Sequence, residues 1–414
     1  MTTDGAANER AAAAELVNDG NTIHCAAHDI QLAINDVLDS KQAHPPPEAA
    51  RCRQAVKKCH DLVILINGHK DLFSVFSQLA KEKKTQEGAR MFDALVIDVE
   101  TRWDSELGLV ERVVYFDGIF LAMYARPELQ FPPECILDRF EFDLSYGMTL
   151  VLGPLRVFTK FVQNRTQVTL AKVPRMIDEL ITALRPGAFA ALMVGRAEGV
   201  MVELEKFQAC LVSSIRQRFS DWFSPESLAL EALYFTPGPN RFAFANFVVN
   251  EAAVATIRSN IINDLLDLLP SGAPAATNPA RRELHRSMAD AALLLARSQL
   301  DEADAADDPL VWWPSHSELS ILFPVAKMLL AIPASTAEDE RSFSSAGFTL
   351  DRKRGRLDMD NFRREHRIRQ YLTSGVNIHH QIGRRERISR AQSLLEEYAH
   401  LVEQAAAAAA AENH

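Results

Sequence analysis

The residues of this chain best suited to chemistry are a few carboxylates at helix starts, one thiol–imidazole pair and a run of arginines. Glu340 falls in the acidic first turn Glu338-Asp339-Glu340 of a short helix, three residues before Phe343, so a carboxylate emerges beside a large apolar side chain on one face. Charge there also suits the positive end of the helix dipole, and a solvated N-terminal carboxylate is the plainer reading. Asp4 stands with Asn8 at the joint between a short extended stub and the Ala-rich run to Leu16, where an aspartate commonly caps a helix. Cys25 and His28 have metal-ligand spacing, and Cys52, Cys59 and His60 could complete four ligands. No second close pair of finger or ribbon spacing follows, so a packed thiol and imidazole is the favoured reading and no metal site is assigned. Arg352, Lys353, Arg354, Arg356, Arg363, Arg364, Arg367 and Arg369 form the densest basic cluster, able to meet phosphates or to face solvent along a helix.

The elements that would hold these groups centre on the run from Asp307 to Leu357. Leu319, Leu322, Phe323, Ala326, Leu329 and Leu330 recur at helical spacing and predict one helix with a broad apolar face, ended by Pro333. Ser335 then precedes Glu338 at capping-box spacing, and Gly347 is placed to close the second helix. Together with the adjacent Trp312 and Trp313, this face has more apolar surface than one short helix pair can hide. Trp312, Trp313, Leu319, Leu322, Phe323, Leu329 and Phe343 are therefore expected to serve an intramolecular core plus a homodimer interface, the alternative being tryptophans packed wholly within the chain.

Upstream, Ile23 marks a short strand, after which Ile30, Ala33, Ile34, Val37 and Leu38 give a helix face. His44-Pro-Pro-Pro47 is a loop before the basic stretch Arg51 to Lys58, whose helical pattern continues through DLVILINGHKDLFSVFSQL. Helical patterns recur in LVERVVYFDGIFLAM, LSYGMTLVLGPLRVFTKFVQ, VPRMIDELITALR and MVELEKFQACLVSSIRQRFSDWF, with Pro174 suited to a first helical turn. Pro270 to Pro279 reads as a flexible small-residue connection, Asp358 to Leu372 as a helix, and the chain ends in an Ala-rich tail.

Trp312-Trp313, then LLAIPASTAEDERSFSSAG from Leu329 to Gly347, then RGRL from Arg354, resemble in order and spacing the C-terminal dimerisation module of hAT-superfamily transposases. The resemblance implies that Glu340 is the last of three metal-binding acids on a ribonuclease H-like core. TTDGAANERAA is similar to the family segment carrying the second acid, here Asp4, and Cys25 and His28 match its Cys-x-x-His segment. Thr101, Arg102, Trp103 and Ser105 fit the family's Thr-Arg-Trp-Asn-Ser run, with Asp104 replacing the asparagine. In active relatives that tryptophan is implied to stack on a flipped base; packing at a helix start is preferred for Trp103 and Arg102 here. Leu228 to Phe242 departs from the family's Leu-Asp-Pro-Arg, so no role is carried over.

The expected fold is mainly α with a small α/β part: an incomplete ribonuclease H-like core over 1–130, a large all-α insertion over 131–305, a helical hAT dimerisation module over 306–375 and a helical Ala-rich tail over 376–414. The family's first aspartate and N-terminal zinc finger lie ahead of the segment matched by Asp4. Two-metal strand transfer needs several converging carboxylates, so the expectation is a transposon-derived protein that dimerises without catalysis. No cofactor is expected to be bound, with Mg2+ required only if activity remains. The other readings are a piece of an active transposase, and a non-catalytic DNA-binding module using Arg363, Arg364 and Arg367.

With 414 residues, 47% hydrophobic, the chain can bury a large core. A formal charge of −10 confines any DNA contact to a local patch. Five cysteines without a regular framework, no basic-then-apolar leader and no apolar stretch near the roughly 20 residues of a membrane span lead to the expectation of a soluble, reduced, unsecreted protein. The resemblance implies the nucleus.

Overall fold

A computed structural model describes residues 2–3, 23–39, 42–87, 92, 94–97, 103–164, 167–268, 278–304 and 308–337. The described elements run β1 (Thr2–Thr3), β2 (Ile23–His24), α1 (Ala26–Leu38), α2 (Ala50–Gly68), α3 (Lys70–Glu87), α4 (Trp103–Tyr115), α5 (Asp117–Tyr124), α6 (Arg139–Val162) and α7 (Val173–Ala183). There follow α8 (Val200–Arg218), α9 (Leu228–Tyr234), α10 (Glu251–Asp267), α11 (Pro279–Glu302), α12 (Pro309–Ser315) and α13 (Phe323–Leu330). The fold is mainly helical. β1 and β2 pair in parallel, Thr2 opposite Ile23 and Thr3 opposite His24.

The chain divides into two compact units, one drawn from Met1–Cys25, Val162–Arg175 and Trp222–His414, the other from Ala26–Phe161 and Met176–Asp221. In the second unit α1 and α2 pack on α8, while α2, α4 and α5 reach α6 through Lys58–Glu141, Glu111–Arg156 and Phe120–Phe142. Within this second unit α1 turns Ile30, Ala33, Ile34 and Val37 inward and packs on α8. Asp36 accepts hydrogen bonds from Ser214 at 2.7 Å and Arg218 at 2.8 Å, tying the same two helices at their rim. Phe76 of α3 meets Phe116 edge-on at 5.1 Å and stacks on Phe120, which in turn stacks on Phe142 of α6.

In the first unit α9 is buried on every side from Ala229 to Tyr234 and is capped by Ser227, whose Oγ accepts from the Ala229 N–H at 3.2 Å. It packs against the turn Leu170–Lys172, α10 and α13. Asn278 caps α11 and Pro279 opens it, where a missing N–H costs nothing. His285, Ala289, Leu293, Ala296 and Leu300 then face inward at spacings of three and four. Pro174 likewise lies in the first turn of α7.

The single apolar helix expected from Leu319 to Leu330 is instead two elements: a 3-10 turn, Ser317–Leu322, and then α13. Leu319 leaves helical geometry at φ −100°, ψ 15°. Pro324 explains the break, since it has no N–H for the Ser320 carbonyl and its ring would crowd that carbonyl in a continuous helix. The apolar pattern still works. Leu319, Leu322, Ala326, Leu329 and Leu330 are all buried.

Candidate functional site

The Pro-Ala-Ser-Thr joint is held by hydrogen bonds from several directions. The Ala334 N–H donates to Thr169 Oγ1 at 3.0 Å, and Ser335 Oγ donates to the Val162 carbonyl at 3.1 Å while accepting from the Ala337 N–H at 3.4 Å. The last bond is an N-cap contact to the second residue after Ser335; Glu338, the other member of the expected capping box, lies outside the described residues. Next in line, the Thr336 N–H donates to Cys25 Sγ at 3.4 Å. Cys25 directly follows β2, and His24 is opposite Thr3, the residue before Asp4. Thr3 and Thr336 thus each engage the end of one strand, at His24 and Cys25.

Asp4 and Glu340, with Arg102, Phe343, Arg363, Arg364 and Arg367, lie outside the described residues, as do Gly347 and the expected helix from Asp358. Among the described residues no group of three His, Cys, Asp or Glu side chains is placed to hold a metal ion. Cys25 is buried and occupied by the Thr336 amide, while His28 sits half-buried on α1. The thiols of Cys52 and Cys59 are both pushed up to about 12 by burial, and Cys59 Sγ sits 3.6 Å from Ser145 Oγ. Burial therefore keeps both as neutral thiols, poor ligands for a cation.

Trp103 begins α4 and is 6% exposed. Ile34, Leu38, Val56, Met148 and Leu152 share with it a crevice of about 10 Å³, room for roughly one water. The ring is therefore packed in the core of its unit. The neighbouring Asp104 also has a local reason to be acidic. Its carboxylate accepts from Arg156 Nε, and Arg156 donates to Glu111 at 2.8 Å, joining α4 to α6.

Trp312, Trp313, Leu319, Leu322 and Leu329 are buried in their own unit, and Phe323 is half-buried. Trp313 Nε1–H donates to the Phe235 carbonyl at 2.8 Å, and Trp312 stacks on His316 at 3.8 Å. These side chains serve the intramolecular core, and on their own helices Leu310 and Val311 of α12 and Met328 of α13 are left exposed. Arg241 is a residue that sequence reasoning missed. Buried, it donates to the Tyr234 carbonyl at 2.8 Å and to Asp301 at 2.9 Å, fastening the turn after α9 to α11. That turn needs a left-handed backbone at Gly238, φ 127°, and Asn240, φ 50°. Its Pro-Gly-Pro-Asn composition signals the turn, but nothing in the sequence names the partner of Arg241.

A second missed group is Glu231 on α9. Burial, then the nearby Asp264 carboxylate, pushes its carboxyl up to about 8 against an opposing hydrogen bond from Asn260. Its Oε2 has no hydrogen-bond partner among the described residues.

Comparison with known proteins places a family at the C-terminal part of this arrangement. Residues 279–364 match the model of the hAT family C-terminal dimerisation region, so the match opens at Pro279, the first residue of α11. A protein named as a transcriptional regulator, tpeD, of Talaromyces stipitatus is 24% identical over 400 residues, covering 86% of this chain and 44% of the relative. The chain thus spans less than half the length of that relative. No helix of the described residues is long and apolar enough to cross a membrane. Residues 279–364, which take in α11, the tryptophan pair and the Pro-Ala-Ser-Thr joint, are thus similar to a hAT family C-terminal dimerisation region.

Proposed function

We propose that this chain is a transposon-derived protein whose activity is self-association through residues 279–364. The observation that carries this is the match to a dimerisation region over a segment whose described helices form a packed platform: α11 lies on α10, and the tryptophan pair is pinned to the turn after α9. A homodimer is the partner this reading requires. Light scattering on the purified chain at tens of micromolar is expected to report twice the mass of one chain, and a strict monomer would overturn the reading.

The reading extends to a ribonuclease H-like ancestry for the strand pair. Support comes from the two contacts at the end of β2, Thr3 beside His24 and Thr336 on Cys25, which lead towards Asp4 and Glu340. Those acids are the residues that would hold Mg2+, but the described residues offer it no ligand set. A short bis-maleimide applied to the Asp4→Cys, Glu340→Cys double variant is expected to link the two positions, as mapped by mass spectrometry. Links only to other cysteines would remove the ancestry while leaving self-association standing.

A further inference from the structure

Self-association needs a surface, and α11 carries a second apolar stripe that its own unit leaves largely uncovered. Leu284, Met288, Ala291 and Leu295 lie roughly 130° around the helix from the inward stripe, counting about 100° per residue. Leu284 is 37% and Leu295 47% exposed, Ala291 is exposed and Met288 half-buried. The steps of four, three and four along this stripe are those of a two-helix seam.

The stripe is also complementary to itself when reversed. Its members are evenly disposed about a point between Ala289 and Asp290, with a leucine at each end and one long and one small side chain inside. An antiparallel copy turned about a two-fold axis through that point would set Leu284 against the partner's Leu295 and Met288 against the partner's Ala291. Self-complementarity of this kind is what a two-fold interface between identical chains requires. Each unbranched Met288 would fill the space left above the small Ala291 opposite it, large against small on both sides of the axis, and the flanking leucines would close the seam at both ends. We propose that this face of α11 is the docking surface for a second copy of the chain, antiparallel and two-fold symmetric. The inference rests on the self-association reading and names the face that performs it.

Geometry makes the test selective. Positions 284 and 295 are about 16 Å apart along one helix, too far for a disulfide within it, and position 284 is as far along the axis from its own symmetry mate. The full chain carrying Leu284→Cys with Leu295→Cys is therefore expected to give a disulfide-linked dimer on a non-reducing gel. Each single variant, like the wild type, should not; an equimolar mixture of the two singles should. Ala291→Glu, at an exposed position, is expected to weaken the dimer by about a hundredfold or more by driving a carboxylate against the apolar Met288 opposite and setting like charges near the axis, with an unchanged far-ultraviolet circular dichroism spectrum. A photo-reactive p-benzoylphenylalanine in place of Ala291 identifies the occupant. Adducts to residues 281–298 of a second copy support the proposal, whereas adducts to residues 338–414 of the same chain or to a foreign protein overturn it. A wild-type dimer that neither cross-links in the double variant nor responds to Ala291→Glu overturns this face alone. A wild-type monomer overturns self-association itself.

Discussion

Asp143 in α6 and Glu231 in α9 are both almost wholly buried, 1% and 3% exposed, one in each compact unit. Asp143 is surrounded by donors: Arg196 at 2.9 Å, Arg139 at 3.1 Å and the Ala197 N–H at 2.9 Å. Glu231 has the opposite setting. One oxygen has no hydrogen-bond partner among the described residues, and burial first, then the Asp264 carboxylate, pushes its carboxyl up to about 8. A buried carboxyl must either be paired or give up its charge, and this molecule does both. The difference teaches what each helix can tolerate: α6 depends on an ion pair, while α9 depends on a proton.

Replacing each acid by its amide separates the two settings most sharply. Asp143→Asn turns a group that accepted three hydrogen-bonding contacts into one that presents a donor to donors, and should cost about 3 kcal/mol in urea unfolding, reduced from the full buried-pair figure because both arginines reach water. Loss below about 1 kcal/mol would mean that the pair matters little. Glu231→Gln should do the reverse. Its folded pKa of about 8 lies above the unfolded value near 4.5, so the folded chain holds a proton that the unfolded chain has released between those limits. The stability this contributes is full below about pH 4.5 and is lost as pH rises through about 8. Wild type is therefore expected to lose roughly 3 to 4 kcal/mol between pH 5 and pH 8.5 relative to Glu231→Gln, read from urea midpoints; parallel profiles would remove the contrast with Asp143. In the same titration Asp264→Asn is expected to recover a smaller part, about 0.5 kcal/mol, because that carboxylate is the second cause after burial.

Local features of the fold were readable from the sequence, and long-range ones were not. Ile23 as a strand residue, the inward stripe of α1, Pro174 in a first turn and Ser335 as a cap all follow from spacing within one or two turns. Pro324 is equally visible in the sequence, but the apolar spacing from Leu319 to Leu330 runs unbroken past it and carries no sign of the 3-10 turn. Arg139 lies one helical turn from Asp143 and could be paired with it by eye, whereas Arg196, 53 residues away, could not. The same limit governs the site. Spacing pointed to the Pro-Ala-Ser-Thr joint, but Val162, Thr169 and Cys25 reach it only through the fold.

The thread linking Thr336 to Cys25 joins residues 311 positions apart, and the compact unit that holds both is assembled from three separate stretches of chain. During synthesis the second unit has all its residues by Asp221, whereas the first still awaits most of its own. The hydrogen bond at Cys25 must therefore wait until synthesis has reached Thr336. Cys25 is thus an early-made group whose partner arrives only after 311 further positions have been added to the chain.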